Sequence, residues 1–206
     1  MNRFHHGLMC LMALLIIFYG CQRSDKLLEK IESPSKLINE AKHRRDSQRL
    51  SPVHQELDLA KEIPVSREVL KTWAPDWVGE FQRTQLLSGH RAEAGIVAIQ
   101  ASYRHPTPPD QSIQLEILDG AGKNGSLLLR AAMERLELDI EEFSNGAKTR
   151  IYSKGELRAR ETELANQNYT EIEFIDQNRF HYTIKGFGLT IDQLWGFCQS
   201  ANFISN

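Results

Sequence analysis

The sequence predicts an α+β domain: a mainly antiparallel sheet with one inserted helix and a C-terminal helix packed on one face. Two observations carry this. Residues 95–103 place Val97, Ile99, Ala101 and Tyr103 on one side, and residues 112–118 set Ile113, Leu115 and Ile117 against Gln114 and Glu116. Such period-two alternation implies one buried and one wet face, which antiparallel pairing tolerates and parallel pairing does not. The second observation is the end of the chain, where Thr190 and Gln193 form a capping box and Leu189 with Leu194 a hydrophobic staple. A helix starting there puts Ile191, Leu194, Trp195, Cys198 and Ala201 on one stripe.

The elements follow in order. Ser66 is a helix cap for a short helix through Trp73, which Ala74-Pro75 ends because the residue before proline disfavours helix. Trp73 and Trp77 flank this break and read as the lid of a core. A weak strand candidate covers residues 78–87, followed by the two alternating runs. Between those runs, residues 105–110 (HPTPPD) cannot continue a ladder. Residues 119–125 form a glycine-rich loop, and 126–138 a helix with Leu129, Ala132, Met133 and Leu136 inward. Four strand candidates follow at 147–153, 156–164, 170–175 and 180–185. Gly155 and Asp176-Gln177-Asn178 are tight connections that make them a meander.

The N-terminus is of another kind. Residues 8–19 (LMCLMALLIIFY) are an unbroken apolar run after Arg3, and Gly20 and Cys21 follow at once. About a dozen apolar residues suit an export-signal core and fall short of the roughly 20 that span a bilayer. Phe18-Tyr19-Gly20-Cys21 resembles the lipobox of bacterial lipoproteins, in which a small residue precedes the lipidated cysteine. The resemblance implies a signal peptide over residues 1–20 and lipid attachment at Cys21. It also implies the outer membrane, facing the periplasm, in a cell with two membranes, because Gln22 stands where an inner-membrane retention signal has aspartate. Residues 21–64 read as a polar tether, partly helical or disordered, with short apolar patches around Leu27 and Leu37. Its basic cluster, His43, Arg44, Arg45 and Arg49, is diluted by Glu40, Asp46 and Glu56 and reads as solvated linker. Residues 65–206 are left as a single domain.

Composition narrows the classes. The 206 residues carry 25 Lys and Arg against 27 Asp and Glu, so electrostatics give no case for a nucleic-acid partner. Of three cysteines, Cys10 leaves with the signal and Cys21 takes lipid. Cys198 then has no partner for a disulfide and reads as a small buried hydrophobe.

Gly120, Gly122 and Gly125 spell G-x-G-x-x-G between a strand and a helix, with Glu142 twenty residues beyond Gly122. The spacing is that of a dinucleotide fingerprint, but the preceding strand alternates instead of being apolar throughout, and no second βαβ half follows. The motif therefore reads as a loop and helix start, and no cofactor is expected. Lys123 is followed by Asn124, so it is no P-loop either. His43, His54, His90, His105 and His181 show no metal-ligand spacing, no metal is expected, and no G-x-S-x-G elbow marks a hydrolase. The adjacent acids Glu141 and Glu142 read as solvated. No residue is assigned a catalytic role.

The order of strands, helix, meander and closing helix is similar in topology to the Mog1/PsbP-like fold, whose members mostly bind partners without catalysis. That resemblance implies a role and transfers no residue. The expectation is a membrane-anchored envelope lipoprotein with a binding or assembly role and an envelope protein as partner. The rivals are a hydrolase of envelope polymers, which a pocket gathering Glu, Asp or His would favour, and a carrier of a lipid or hydrophobic ligand. The carrier would show an apolar cavity between sheet and C-terminal helix.

Overall fold

A computed structural model describes residues 58–204. Cys21, the apolar leader and all of the tether before residue 58 lie outside the described residues. The alternating runs become a nine-stranded, wholly antiparallel sheet in the order β1-β2-β3-β4-β9-β8-β7-β6-β5. Its strands are β1 (Trp77–Val78), β2 (Phe81–Ser88), β3 (Ala98–Arg104), β4 (Ser112–Asp119), β5 (Glu141–Ser144), β6 (Ala147–Lys154), β7 (Leu157–Leu164), β8 (Tyr169–Asp176) and β9 (Phe180–Phe187). Among the described residues three α-helices accompany it: α1 (Arg67–Thr72), α2 (Lys123–Glu137) and α3 (Ile191–Ser200).

Local chemistry sets the helix ends. Ser66 Oγ accepts from Val69 N at 3.2 Å and starts α1. In the capping box of α3, Gln193 N donates to Thr190 Oγ1 at 3.3 Å and Thr190 N to Gln193 Oε1 at 2.8 Å. Helix α2 begins three residues before the sequence places it, at Lys123, so the last glycine of the loop lies inside its first turn.

The sheet's α3 side is the main core. Ile99, Ala101 and Tyr103 of β3, Ile113, Leu115 and Ile117 of β4, Ile172 and Phe174 of β8, and Tyr182 and Ile184 of β9 are buried there with Leu194, Trp195 and Cys198 of α3. Phe174 stacks on Tyr182 at 4.9 Å and on Trp195 at 5.8 Å between ring centres. Trp73 meets Phe180 edge-on at 4.7 Å and joins this core, whereas Trp77 is half exposed on the short outer strand and is not part of a lid. Burial pushes the Cys198 thiol up to about 12, in keeping with an inert packing residue.

Three features depart from the sequence reading. The chain forms a further edge strand, β5, at Glu141 and Glu142, where the sequence predicts no element; all four of its residues are exposed, so no alternation marks it. Residues 58–64, read as the end of the tether, pack on the domain, where Leu59 is buried against Leu129 and Met133. Most important, the sheet's second face is wet only in part, as at the exposed Gln114. Helix α2 lies across it, and Glu173, which alternates outward from Ile172 and Phe174, is 3% exposed. A polar strand position faces water only when nothing packs over it, and the helix that covers this one brings its own cation.

One carboxylate also lies within the main core. Glu161 accepts from Trp195 Nε1 at 2.6 Å, from Arg150 Nε at 2.5 Å and from the Tyr152 hydroxyl. The buried indole N–H thus has the partner it needs. Replacing Trp195 by Phe keeps a ring in place and removes one donor from a buried carboxylate. The expected loss is about 1–3 kcal/mol of stability, read from the midpoint shift in urea denaturation at unchanged slope.

Candidate functional site

The covered face of the sheet is where the polar chemistry gathers. Register places Glu116, Thr183, Glu173 and Arg160 in one row across β4, β9, β8 and β7, all with side chains toward α2. Lys185 and Glu171 pair in the next row. Above them runs a stripe of α2 formed by Leu128, Ala132 and Arg135, at the helical spacing that keeps one side of a helix together. Stripe and row bound a cleft of about 380 Å³, to which Arg91 contributes from the turn before β3. That volume is within the range of small-molecule sites.

Its charges are arranged in pairs. Glu173 accepts from Arg135 Nε at 3.3 Å, again from Arg135 Nη2, from Arg160 Nη1 at 3.3 Å and from His181 Nε2 at 2.8 Å. Arg91 Nε donates to Glu116 at 2.7 Å, and His90 Nε2 lies 3.4 Å from the same oxygen. Glu171 takes the Tyr169 hydroxyl, with Arg160 at 3.5 Å and Lys185 at 4.0 Å. Burial alone would raise the Glu173 carboxyl, but the hydrogen bonds and charges of His181 and Arg135 outweigh it and hold the group down to about 2. Glu116 is displaced the same way: burial opposes ionisation, and Arg91 and His90 more than offset it. An ionised Glu173 can only accept, so His181 Nε2 carries the proton in that contact.

Ion-paired acids of this kind do not serve as proton donors near neutral pH. Glycoside hydrolysis needs one carboxyl kept protonated by its surroundings, and those at Glu173 and Glu116 shift the other way. The acid–imidazole pair Glu173–His181 is the part of the cleft closest to a hydrolytic arrangement. Thr183 lies on the same face as His181, but the imidazole Nε2 is turned to Glu173 and makes no hydrogen bond to the Thr183 hydroxyl. Among the described residues no three His, Cys, Asp or Glu side chains gather as metal ligands.

The glycine motif has a structural occupant. Gly122 N donates to Leu59 O at 2.9 Å, and a Cβ at Gly122 would sit 3.3 Å from the Pro64 ring, so the chain's own residues 59–64 fill the approach to the loop. At its base the fully buried Asp119 accepts from Ala121 N at 2.9 Å, from Val65 N at 2.7 Å and from Arg179 Nε at 2.8 Å. Arg179 also reaches Glu62 Oε2 at 2.8 Å and Ile63 O at 3.1 Å. Gly125 serves packing: a Cβ there would meet the Asp119 carbonyl oxygen at 2.7 Å. These glycines let helix, strand and the strap of residues 59–65 close on one another.

Of the residues singled out in the sequence, His181 is in the cleft and His90 at its margin, while His105 pairs with Glu80 at 3.3 Å elsewhere. Glu141 and Glu142 are exposed on β5, and His43 and His54, like Cys21, lie outside the described residues. Sequence reasoning passed over Glu173, Arg160, Lys185 and Arg135. The available signal was Arg135 itself, a cation in line with the apolar positions of α2.

The depressed Glu173 fixes the direction of a pH effect. A group whose folded value is below its unfolded value contributes stability above the unfolded value and loses it as the pH falls. Between the ordinary 4.5 and about 2, the protein therefore loses the Glu173 contribution. The contribution is on the order of 3 kcal/mol. Urea denaturation across that window is expected to fall less steeply for Glu173→Gln than for the parent. Comparison of the chain with known protein families, curated proteins and solved structures gives no match.

Proposed function

We propose that the protein is an envelope lipoprotein, anchored through lipid on Cys21, whose folded part binds a component of the envelope in the cleft beneath α2 without catalysis. The observation that supports binding over catalysis is the state of the cleft acids. Glu173 and Glu116 are both displaced toward permanent ionisation and engaged by cations, which orients groups but moves no proton. The carrier reading has less behind it, because the space between sheet and α3 is occupied by Phe174, Tyr182 and Trp195 packed ring on ring. A hydrolase keeps one feature in its favour, the contact of His181 with Glu173.

Two measurements test this reading. Radiolabelled palmitate is expected to enter the parent protein and not Cys21→Ala, which is released from the membrane fraction. Failure of the label to enter removes the anchor. The purified full chain in detergent is expected to leave peptidoglycan uncut. Cleavage that disappears in Glu173→Gln and His181→Ala overturns the binding reading in favour of the hydrolase.

A further inference from the structure

The cleft's charges are layered by depth. Glu173 is 3% exposed and Glu171 17%, Glu116 and Arg160 are each 30%, and Arg91 is 40% exposed with Arg135 and Lys185 each 42%. The most exposed charges at the mouth are cations, and the acids beneath and beside them are already paired. The four acceptor contacts at Glu173 come from three side chains, so its oxygens have no capacity left for a ligand donor. The cations keep theirs. Arg91 engages Glu116 through Nε, and Arg160 engages Glu171 and Glu173 through Nη1. Each guanidinium presents five N–H donors in all. Lys185 stands 4.0 Å from Glu171, an ion pair too long for a hydrogen bond.

Counting charges gives the ligand's sign and size of charge. Arg91, Arg135, Arg160 and Lys185 face Glu116, Glu171 and Glu173, so one positive charge is left over before His181 is counted. A ligand with a single negative charge is balanced without His181, whereas a doubly charged one would need its proton. Apolar lining comes from Leu118 of β4 and from Leu128, Ala131 and Ala132 of α2. At the ~30 Å³ that liquid water allots to one molecule, the cleft holds roughly a dozen non-hydrogen atoms.

Resting on the binding role proposed above, we infer that the cleft is a site for a compact monocarboxylate carrying a small apolar group, such as the free C-terminal end of a short peptide. The carboxylate sits between Lys185 and the guanidinium groups of Arg91 and Arg160, and the apolar group lies against Leu128 and Ala131. Thr183, on the floor between Glu116 and Glu173, is placed to bond a peptide amide.

The probe is N-acetyl-leucine, with its C-terminal amide and inorganic phosphate as controls. Each is titrated into the isotope-labelled full chain in detergent micelles and followed by NMR. The acid is expected to shift the backbone amides of Thr183 and Lys185 saturably, and its amide to bind about tenfold or more weakly, the loss of one charge-assisted contact. Lys185→Met and Arg91→Met, both at half-exposed positions, are each expected to weaken the acid by a similar factor and leave the amide unchanged, with amide spectra that show each variant folded. Equal binding of acid and amide, tighter binding of phosphate at the same residues, or no saturable shift into the millimolar range overturns the inference. If that happens while palmitate still enters at Cys21 and peptidoglycan stays uncut, the ligand class falls and the binding role does not.

Discussion

Glu173 holds one helix to one face of the sheet, and the rest of the arrangement depends on that contact. A strand that places Glu between Ile172 and Phe174 would ordinarily leave the charge in water. Here Arg135 crosses from α2, with Arg160 and His181 from the neighbouring strands, and the carboxylate is taken out of solvent with its acceptor sites filled. Taking ions from water costs several kcal/mol each, and only such saturation offsets it. An apolar contact would hold α2 as firmly but could slide along the helix. The fork of Arg135 on two carboxylate oxygens fixes register as well as distance. Glu161 does the same for α3 on the other face through Trp195, so on each face of the sheet a buried acid seats a helix.

The other end of α2 is fixed differently. Its first turn lies so close to β4 that only glycine fits at 125, and residues 59–65 are strapped over the loop by the Asp119–Arg179 pair. The strap is the far end of the stretch read as tether. In the proposed anchored state, pull from the membrane therefore reaches the domain at Asp119 and the start of α2, and not at a frayed terminus.

How much of this was legible follows the same lines. The strands of the meander and both long helices could be read because each has an apolar face at period two or at helical spacing, and the cap of α3 because Thr190 and Gln193 act within one turn. Strand β5 carries no alternation, since nothing packs on either face of it. The glycine triplet was read as a loop, yet the same spacing arises from close packing of a strand, a helix and the chain's own residues 59–64. The cleft could not be read because it depends on the long-range pairing of β4 with β9, which sets Glu116 beside Thr183, and on α2 lying over that row; neither leaves a local signal in the sequence. Only Arg135, within the packed stripe of α2, announced locally that the helix would meet an acid.

A wall fixed at both ends has a consequence for binding. Much of the cost of forming a complex is the ordering of side chains and segments that were free before. In this cleft the helix is held at its N-terminal end by the strap and near its C-terminal end by Glu173, and the arginines on the floor are already extended toward carboxylates. The buried acids then act on a ligand indirectly. They are too deeply paired to touch it, and they keep the cations above them spread and aimed, so that an anion entering the cleft finds donors in place. The charge that stabilises the fold and the charge left over for recognition belong to the same residues.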